Sequence, residues 1–220
     1  WAADVHRFGS RTYVYYSVSK FGTNNSAIGL MSCTSIAAGD WRDDGMVISS
    51  KAGVNTYNAI DPNLIIDASG VPWLAFGSWF DGIYITKLNP STMKPTGSFT
   101  KIASRSGGIE GPAILYANGY YYLFVSIDRC CQGAASTYKI AYGRSSSITG
   151  PYLDKTGKAM TAGGYTVFDA GTSAWKGPGG QDVLSNGSGW LISRHAYSAT
   201  NGAPIHFISD LYFDTAKWPK

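Results

Sequence analysis

Gly111-Pro112-Ala113-Ile114-Leu115-Tyr116-Ala117-Asn118-Gly119-Tyr120-Tyr121-Tyr122-Leu123-Phe124-Val125-Ser126-Ile127 runs as an apolar strand, a tight turn and an aromatic strand. The Asn118-Gly119 pair supplies the positive φ that a two-residue hairpin loop needs. Branched and aromatic residues on either side suit a pleated, half-buried surface. Three other segments repeat this order. Asp4-Val5-His6-Arg7-Phe8 is followed by Gly9-Ser10 and the strand from Thr12 to Ser19. Asp61-Pro62-Asn63-Leu64-Ile65 is followed by Ser69-Gly70 and the run from Pro72 to Trp79. Gly180-Gln181-Asp182-Val183-Leu184 is followed by Asn186 to Gly189 and the run from Trp190 to Tyr197. The first copy alternates plainly, with Tyr13, Tyr15 and Ser17 on one side and Val14, Tyr16 and Val18 on the other.

A third strand follows each hairpin: Ser26 to Cys33, Gly82 to Leu88, Tyr138 to Arg144, and Ile205 to Phe213. In three copies a fourth piece, carrying Trp41, Phe99 or Tyr152, comes shortly after a glycine. Antiparallel four-stranded units recurring at roughly 50 to 70 residues are the layout of propeller blades. A β-sandwich predicts no such long-range self-similarity. No stretch keeps a helical period. The expectation is an all-β fold, a β-propeller with four readable blades, forming a single domain over residues 1–220. Lys155 to Gly164 and Gly171 to Gly180 read as glycine-rich loops inside it.

Composition narrows the function. Charged residues make up 15% and aromatic residues 14%, with 27 glycines and a net charge of +4. Disorder needs the opposite balance. With no lysine or arginine run to track a phosphate backbone, nucleic acid is not expected as a partner. An extended neutral ligand such as a sugar polymer asks for aromatic faces instead. No apolar run approaches the roughly 18 residues of a membrane span, and no membrane partner is expected. No signal peptide is seen and the chain opens at Trp1 inside a motif, which reads as a processed or truncated product. The three cysteines are too few for a disulfide scaffold. Cys130 and Cys131 read as two buried thiols or as a vicinal bridge, which would need a strained peptide. Asn24-Asn25-Ser26 and Asn186-Gly187-Ser188 are glycosylation acceptor patterns in turn-like stretches, and with the composition they point to secretion.

In a propeller the innermost strand of each blade starts at one mouth, so residues opening the repeats converge on one pocket. Two acids stand there: Asp61 in Asn58-Ala59-Ile60-Asp61-Pro62 and Glu110 in Ile109-Glu110-Gly111-Pro112. Glycoside hydrolysis needs one protonated acid at the leaving oxygen and one carboxylate acting on water or on carbon. Apolar surroundings and a neighbouring carboxylate favour the protonated form. The ordinary alternative is that both acids cap turns.

Trp1-Ala2-Ala3-Asp4-Val5, Asn58-Ala59-Ile60-Asp61-Pro62 and Ile109-Glu110-Gly111-Pro112 resemble, in order, three motifs of the five-bladed arabinanases of glycoside hydrolase family 43. Tyr16-Ser17-Val18-Ser19 through Asn25-Ser26-Ala27-Ile28-Gly29-Leu30, Phe76-Gly77-Ser78-Trp79, Cys130-Cys131-Gln132-Gly133 through Ser136-Thr137-Tyr138, and Gly177-Pro178-Gly179-Gly180-Gln181 are similar to the same enzymes, especially fungal endo-arabinanases. The resemblance implies inverting hydrolysis of α-1,5-linked arabinan by a secreted enzyme. It makes Glu110 the general acid and Asp61 the partner that orients it and raises its pKa. The family's general base lies in a first blade that has no counterpart here, so the base has no candidate. Asp4 falls at the second motif and is read as a structural or pocket-edge residue. Ala3 stands where the family usually has proline.

The resemblance also places Trp1, Phe76 and Trp79 near the cleft, with Asn58 as a hydrogen-bond partner to a sugar hydroxyl. Packing within a blade is the ordinary role of such aromatic residues, and binding is favoured for Trp1 and Trp79. His195 matches a histidine that touches a water-ringed calcium ion, although calcium prefers oxygen ligands. A channel histidine bonded to water or carboxylate is the other reading; beyond calcium no cofactor is expected. His6 and His206 carry no case. Two further functions stay open: a non-catalytic arabinan-binding propeller, and one part of a two-chain enzyme whose separate chain supplies the first blade.

Overall fold

The structure, a computed structural model, describes all 220 residues and contains four antiparallel sheets. The chain divides into two compact units, Trp1–Lys101 and Ile102–Lys220. In the first unit, β1 (Ala3–Phe8), β2 (Arg11–Ser19), β3 (Ser26–Cys33) and β4 (Arg42–Ser50) pair in sequence order. A second sheet orders β5 (Asn63–Ile66), β6 (Pro72–Phe76), β7 (Ile83–Lys87) and β8 (Thr100–Ala103), and the boundary between the units falls within β8. In the second unit, β9 (Ile109–Ala117), β10 (Tyr120–Ile127), β11 (Lys139–Ser145) and β12 (Thr166–Asp169) form a four-stranded sheet. A three-stranded sheet follows, made of β13 (Trp175–Ser185), β14 (Trp190–Ser198) and β15 (Pro204–Leu211). The only helical turns are the short 3-10 segments Gly133–Ala135 and Met160–Ala162.

The alternation expected of the first repeat is what packs the first unit. Tyr13 and Tyr15 point into a core with Ile28, Leu30, Leu64, Leu74 and Phe76, while Val18 stays exposed on the other face. The Tyr15 hydroxyl, deep in that core, donates to the Met93 carbonyl at 2.6 Å. Tyr16 lies across the strand from Gly29, where a Cβ would run into its ring, so the glycine makes room for the aromatic face. The second unit has its own core of Leu115, Tyr122, Phe124, Ile140, Tyr142, Val183, Ile192 and Leu211. There Asp128 binds Arg105 at 2.6 Å and Lys139 at 2.7 Å, tying the segment before β9 to the loop after β10.

Four expectations change. Gly171 to Gly180 is not all loop: from Trp175 it is β13, whose bulges interrupt the alternation that marks a strand. Tyr152 belongs to a buried loop, and the fourth strand of its sheet lies further on at Thr166–Asp169. Asn24 is buried, with its amide donating to the Asn55 and Tyr57 carbonyls, so the first glycosylation pattern is a structural clamp. Cys130 and Cys131 are bridged, not two buried thiols, and Cys131 lies exposed at the surface.

Tyr15→Phe should leave the Met93 carbonyl buried without its donor and cost about 1–3 kcal/mol, read as a lower urea midpoint. A midpoint equal to wild type would contradict this packing. For Asp128, burial pushes the carboxyl up, but hydrogen bonds from Lys139 and Arg105 outweigh it and hold the group below its usual range. Its contribution is therefore present above the unfolded value of about 3.9 and is lost as pH falls through the lower folded value. Asp128→Asn should be less stable than wild type at pH 7, and the gap should shrink below about pH 4. A gap independent of pH would count against the ion pair.

Candidate active site

The residue that opens a repeat has the same backbone conformation in three of the four sheets. Asp61, Gly111 and Gly180 have φ of 54°, 57° and 56°. This left-handed region favours glycine, because a side chain crowds the following carbonyl. Two of the three positions hold glycine and the third holds aspartate. Asp tolerates the conformation better than most residues, yet glycine would be easier still. The chain thus keeps a carboxylate at a position where two other repeats have glycine.

In the first unit a buried serine fixes this opening. Ser17, near the end of β2, accepts the Asp61 backbone N–H at 3.1 Å and donates to the Ala2 carbonyl at 3.1 Å. Ile60 closes a tight turn onto Asn58 at 3.0 Å, and its own carbonyl accepts the Gly77 N–H at 2.8 Å. Asp61 is half-buried and is held from both sides by backbone contacts. Asp4, the other acid at an opening, is buried, and its Oδ2 accepts the Leu64 N–H of β5 at 2.7 Å. That makes it a stitch between the inner strands of two sheets.

The loop leaving β6 carries the exposed aromatics. Trp79 and Phe80 both have positive φ, 53° and 40°, and Gly82 N–H closes on the Trp79 carbonyl at 2.8 Å. Asp81 anchors the loop, accepting from Thr56 at 2.9 Å, from Tyr84 at 2.5 Å and from Lys101. Burial pushes its carboxyl up, but these donors prevail and hold it ionised below its usual range.

In the second unit Glu110 sits at the start of β9, half-buried, next to a bulge. The register skips between Phe124 and Ser126 opposite Gly111-Pro112, and such bulges re-aim the neighbouring side chain. Tyr138 is buried and its hydroxyl donates to Glu110 Oε1. Ser126, the counterpart of Ser17, accepts the Gly180 N–H at 2.9 Å and donates to Gln181 Oε1 at 2.7 Å. Gln181 in turn donates to the Gly111 carbonyl at 2.6 Å. The backbone directly after Glu110 is thereby tied to β13.

Gly177-Pro178-Gly179-Gly180-Gln181 gains a physical meaning here. A Cβ at Gly179 would run into the Tyr138 ring, and one at Gly177 would meet Ser136. A Cβ at Gly180 would lie 2.9 Å from His195 Nδ1. The glycines let a strand lie flat against the ring that holds Glu110. Tyr138, Ser126 and Gln181 had no role assigned from sequence. Tyr138 lies inside a quoted motif, but its partner is 28 positions away and only the folded sheet joins them.

His195 stands on β14 between the rings of Tyr138 and Tyr197, at centroid distances of 5.9 and 5.3 Å. Burial lowers its pKa, which favours the neutral imidazole, and its buried Nε2 has no hydrogen-bond partner. Such a nitrogen fits contact with one bound water or ion. No three histidine, cysteine or acidic side chains gather to cage a metal, so the residues do not fit a directly ligated calcium site.

The aromatic expectations divide. Trp1 is 58% exposed, with its backbone nitrogen donating to the Ser17 carbonyl at 2.7 Å, and Trp79 is 39% exposed. Phe76 must be corrected: it is fully buried against Tyr57, Tyr84 and Phe99 and offers no face to a sugar. Asn58 is buried too, its Oδ1 accepting from Ser26 at 2.6 Å.

Comparison with known proteins agrees with this architecture. The sequence matches the family described as glycosyl hydrolases family 43 over residues 1–219. It is 56% identical to the extracellular endo-alpha-(1->5)-L-arabinanase 1 of Bacillus subtilis, covering all of this chain and 68% of that protein. Against the arabinan endo-1,5-alpha-L-arabinosidase A of Aspergillus aculeatus it is 37% identical over 92% of this chain and 66% of that protein. The solved structure of a family 43 endo-arabinanase from Bacillus licheniformis superposes with a TM-score of 0.94 at 56% identity, covering all of this chain and 76% of that one. The four sheets are thus blades of an all-β propeller, and the chain belongs to glycosyl hydrolase family 43.

Proposed function

We propose that this glycoside hydrolase cleaves α-1,5-linked arabinan with inversion, outside the cell, with Glu110 as general acid and Asp61 as its supporting carboxylate. The observation that carries the assignment is the fixing of Glu110 by the Tyr138 hydroxyl, backed by the glycine-lined strand and by Gln181 on the next carbonyl. As general acid, Glu110 supplies a carboxyl proton. That proton passes to the glycosidic oxygen as the bond to the anomeric carbon breaks. Water attacks the opposite face of the sugar and gives up its proton to a base. None of these 220 residues is assigned as that base. Asp61 carries its role because it keeps a carboxylate where the backbone asks for glycine.

Arabinan is the substrate chosen because the Bacillus and Aspergillus relatives are named for it and span nearly all of the chain. The low charge and exposed Trp1 and Trp79 suit a neutral polymer, whose furanose faces stack on indole rings. The Bacillus subtilis relative is named as extracellular, which supports secretion. Both compact units belong, in this reading, to one propeller domain. Buried Asn58 holds the loop before Asp61 to Ser26 of β3, and His195 contacts water or a hydrated calcium ion.

Glu110→Gln in the natural protein should lower reducing-sugar release from debranched arabinan by about 100-fold or more, the usual range for a lost general acid, while the protein still binds the polymer. Tyr138→Phe should reduce turnover by a smaller factor and reshape the pH profile of kcat. Wild-type turnover in Glu110→Gln would overturn the assignment.

A further inference from the structure

A cavity of about 400 Å³ opens on the second unit, away from the residues described so far. Its walls include Tyr120, Arg144, Pro151, Leu153, Lys155 and Trp218. That volume falls within the roughly 300–1,000 Å³ of small-ligand pockets. Tyr120 opposes Ala117 at the hairpin end of β9 and β10, whereas Ser126 opposes Glu110 at the other end of the same pair. Cavity and acid are therefore a strand's length apart, on the order of 20 Å.

Arg144, on β11, gives the cavity its charge. Its guanidinium carbon lies 3.7 Å from the ring centre of Trp218 and 4.4 Å from that of Tyr120. Nη1 donates to the Ala216 carbonyl at 2.6 Å and to the Lys217 carbonyl at 3.2 Å. The Lys217 carbonyl also accepts from the Tyr122 hydroxyl at 2.5 Å. Rings and carbonyls thus hold the cation in one place, yet no ion pair of the molecule engages it. Lys155 adds a second cation, only loosely matched by Asp214 at 3.8 Å. The acid in the wall, Asp154, commits both oxygens to its own loop, accepting from Thr156, Lys158 and Tyr165.

A fixed guanidinium beside indole and phenol faces suits a ligand that joins a carboxylate to an apolar ring face. A neutral sugar would leave Arg144 unmatched, and a bare inorganic anion would leave the aromatic wall wet. We propose that this cavity is a second carbohydrate site, which takes a sugar acid with its carboxylate on Arg144 and Lys155 and its ring against Tyr120 and Trp218. The site does not depend on the arabinan reading. It holds the protein to an acidic glycan while Glu110 stays open to substrate.

Calorimetric titration of the natural protein with galacturonate and glucuronate tests this, with galactose and inorganic phosphate as comparison ligands and the Trp218 indole signal followed by NMR. A sugar acid should bind, shift that signal and lose affinity as salt is raised. Arg144→Gln should weaken binding by about 10-fold or more, the range for a hydrogen bond to a charged group. Lys155→Ala leaves the carbonyl contacts of Arg144 in place and should weaken binding by about 2- to 5-fold. Both variants should release reducing sugar from debranched arabinan at the wild-type rate. Absence of binding by both sugar acids, or wild-type affinity in both variants, would overturn the site. Galactose or phosphate binding as tightly as the sugar acids would overturn the ligand class. Lost turnover in a variant that unfolds at the wild-type temperature would overturn the separation from Glu110.

Discussion

A buried serine hydroxyl near the end of a repeat's second strand fixes the chain that opens the next repeat, and the candidate chemistry depends on it. Ser17 holds the Asp61 amide in one unit and Ser126 holds the Gly180 amide in the other. Each hydroxyl both accepts and donates, so neither of its hydrogen-bonding capacities is left bare in the interior. A buried polar group without a partner costs on the order of 1–3 kcal/mol, which gives these contacts a defined geometry as well as energy. The left-handed conformation of the opening residue accompanies this contact at Asp61 and Gly180.

Around that constraint the second unit builds an ordered chain of contacts. Ser126 positions Gln181, Gln181 holds the Gly111 carbonyl, and Tyr138 lies flat on Gly179 to reach Glu110. Each step needs a small residue or an exact donor, so the motif from Gly177 to Gln181 leaves little latitude in residue type. The first unit spends its rigidity differently. Asp4 and Ser17 stitch inner strands, while Asp81 anchors a loop that holds aromatic rings in water. One unit thus fixes an acid, and the other fixes a second carboxylate and apolar faces.

How much of this could be read in sequence depended on the range of the interaction. The hairpins were legible because Asn118-Gly119 and the alternation around Tyr13 and Tyr15 are local signals. β3 was placed at Ser26–Cys33 as expected for the same reason. The second half of β13 was read as the strand Gly180 to Leu184, but its first half from Trp175 was hidden, because Gly177 and Gly180 at positive φ make bulges that erase the two-residue period. Phe76 was placed at the cleft by motif, although its spacing from Leu74 puts both on the inward face of β6. The serine clamps and the Tyr138 contact were invisible because each joins residues from 28 to 54 positions apart. Asp61 and Glu110 could be singled out from their places in the repeat, but the conformation that sets Asp61 apart from its glycine counterparts is a property of the folded backbone.

The most direct test of the serine clamp is amide hydrogen exchange at Asp61 and Gly180, read by NMR in the wild type, Ser17→Ala and Ser126→Ala. Ser17→Ala should sharply speed exchange at Asp61 while the amides of β2 and β3 keep their protection, and Ser126→Ala should do the same at Gly180. Unaltered exchange at both amides in the two variants would contradict the account, because the openings of the repeats would then be held by something other than the buried hydroxyls.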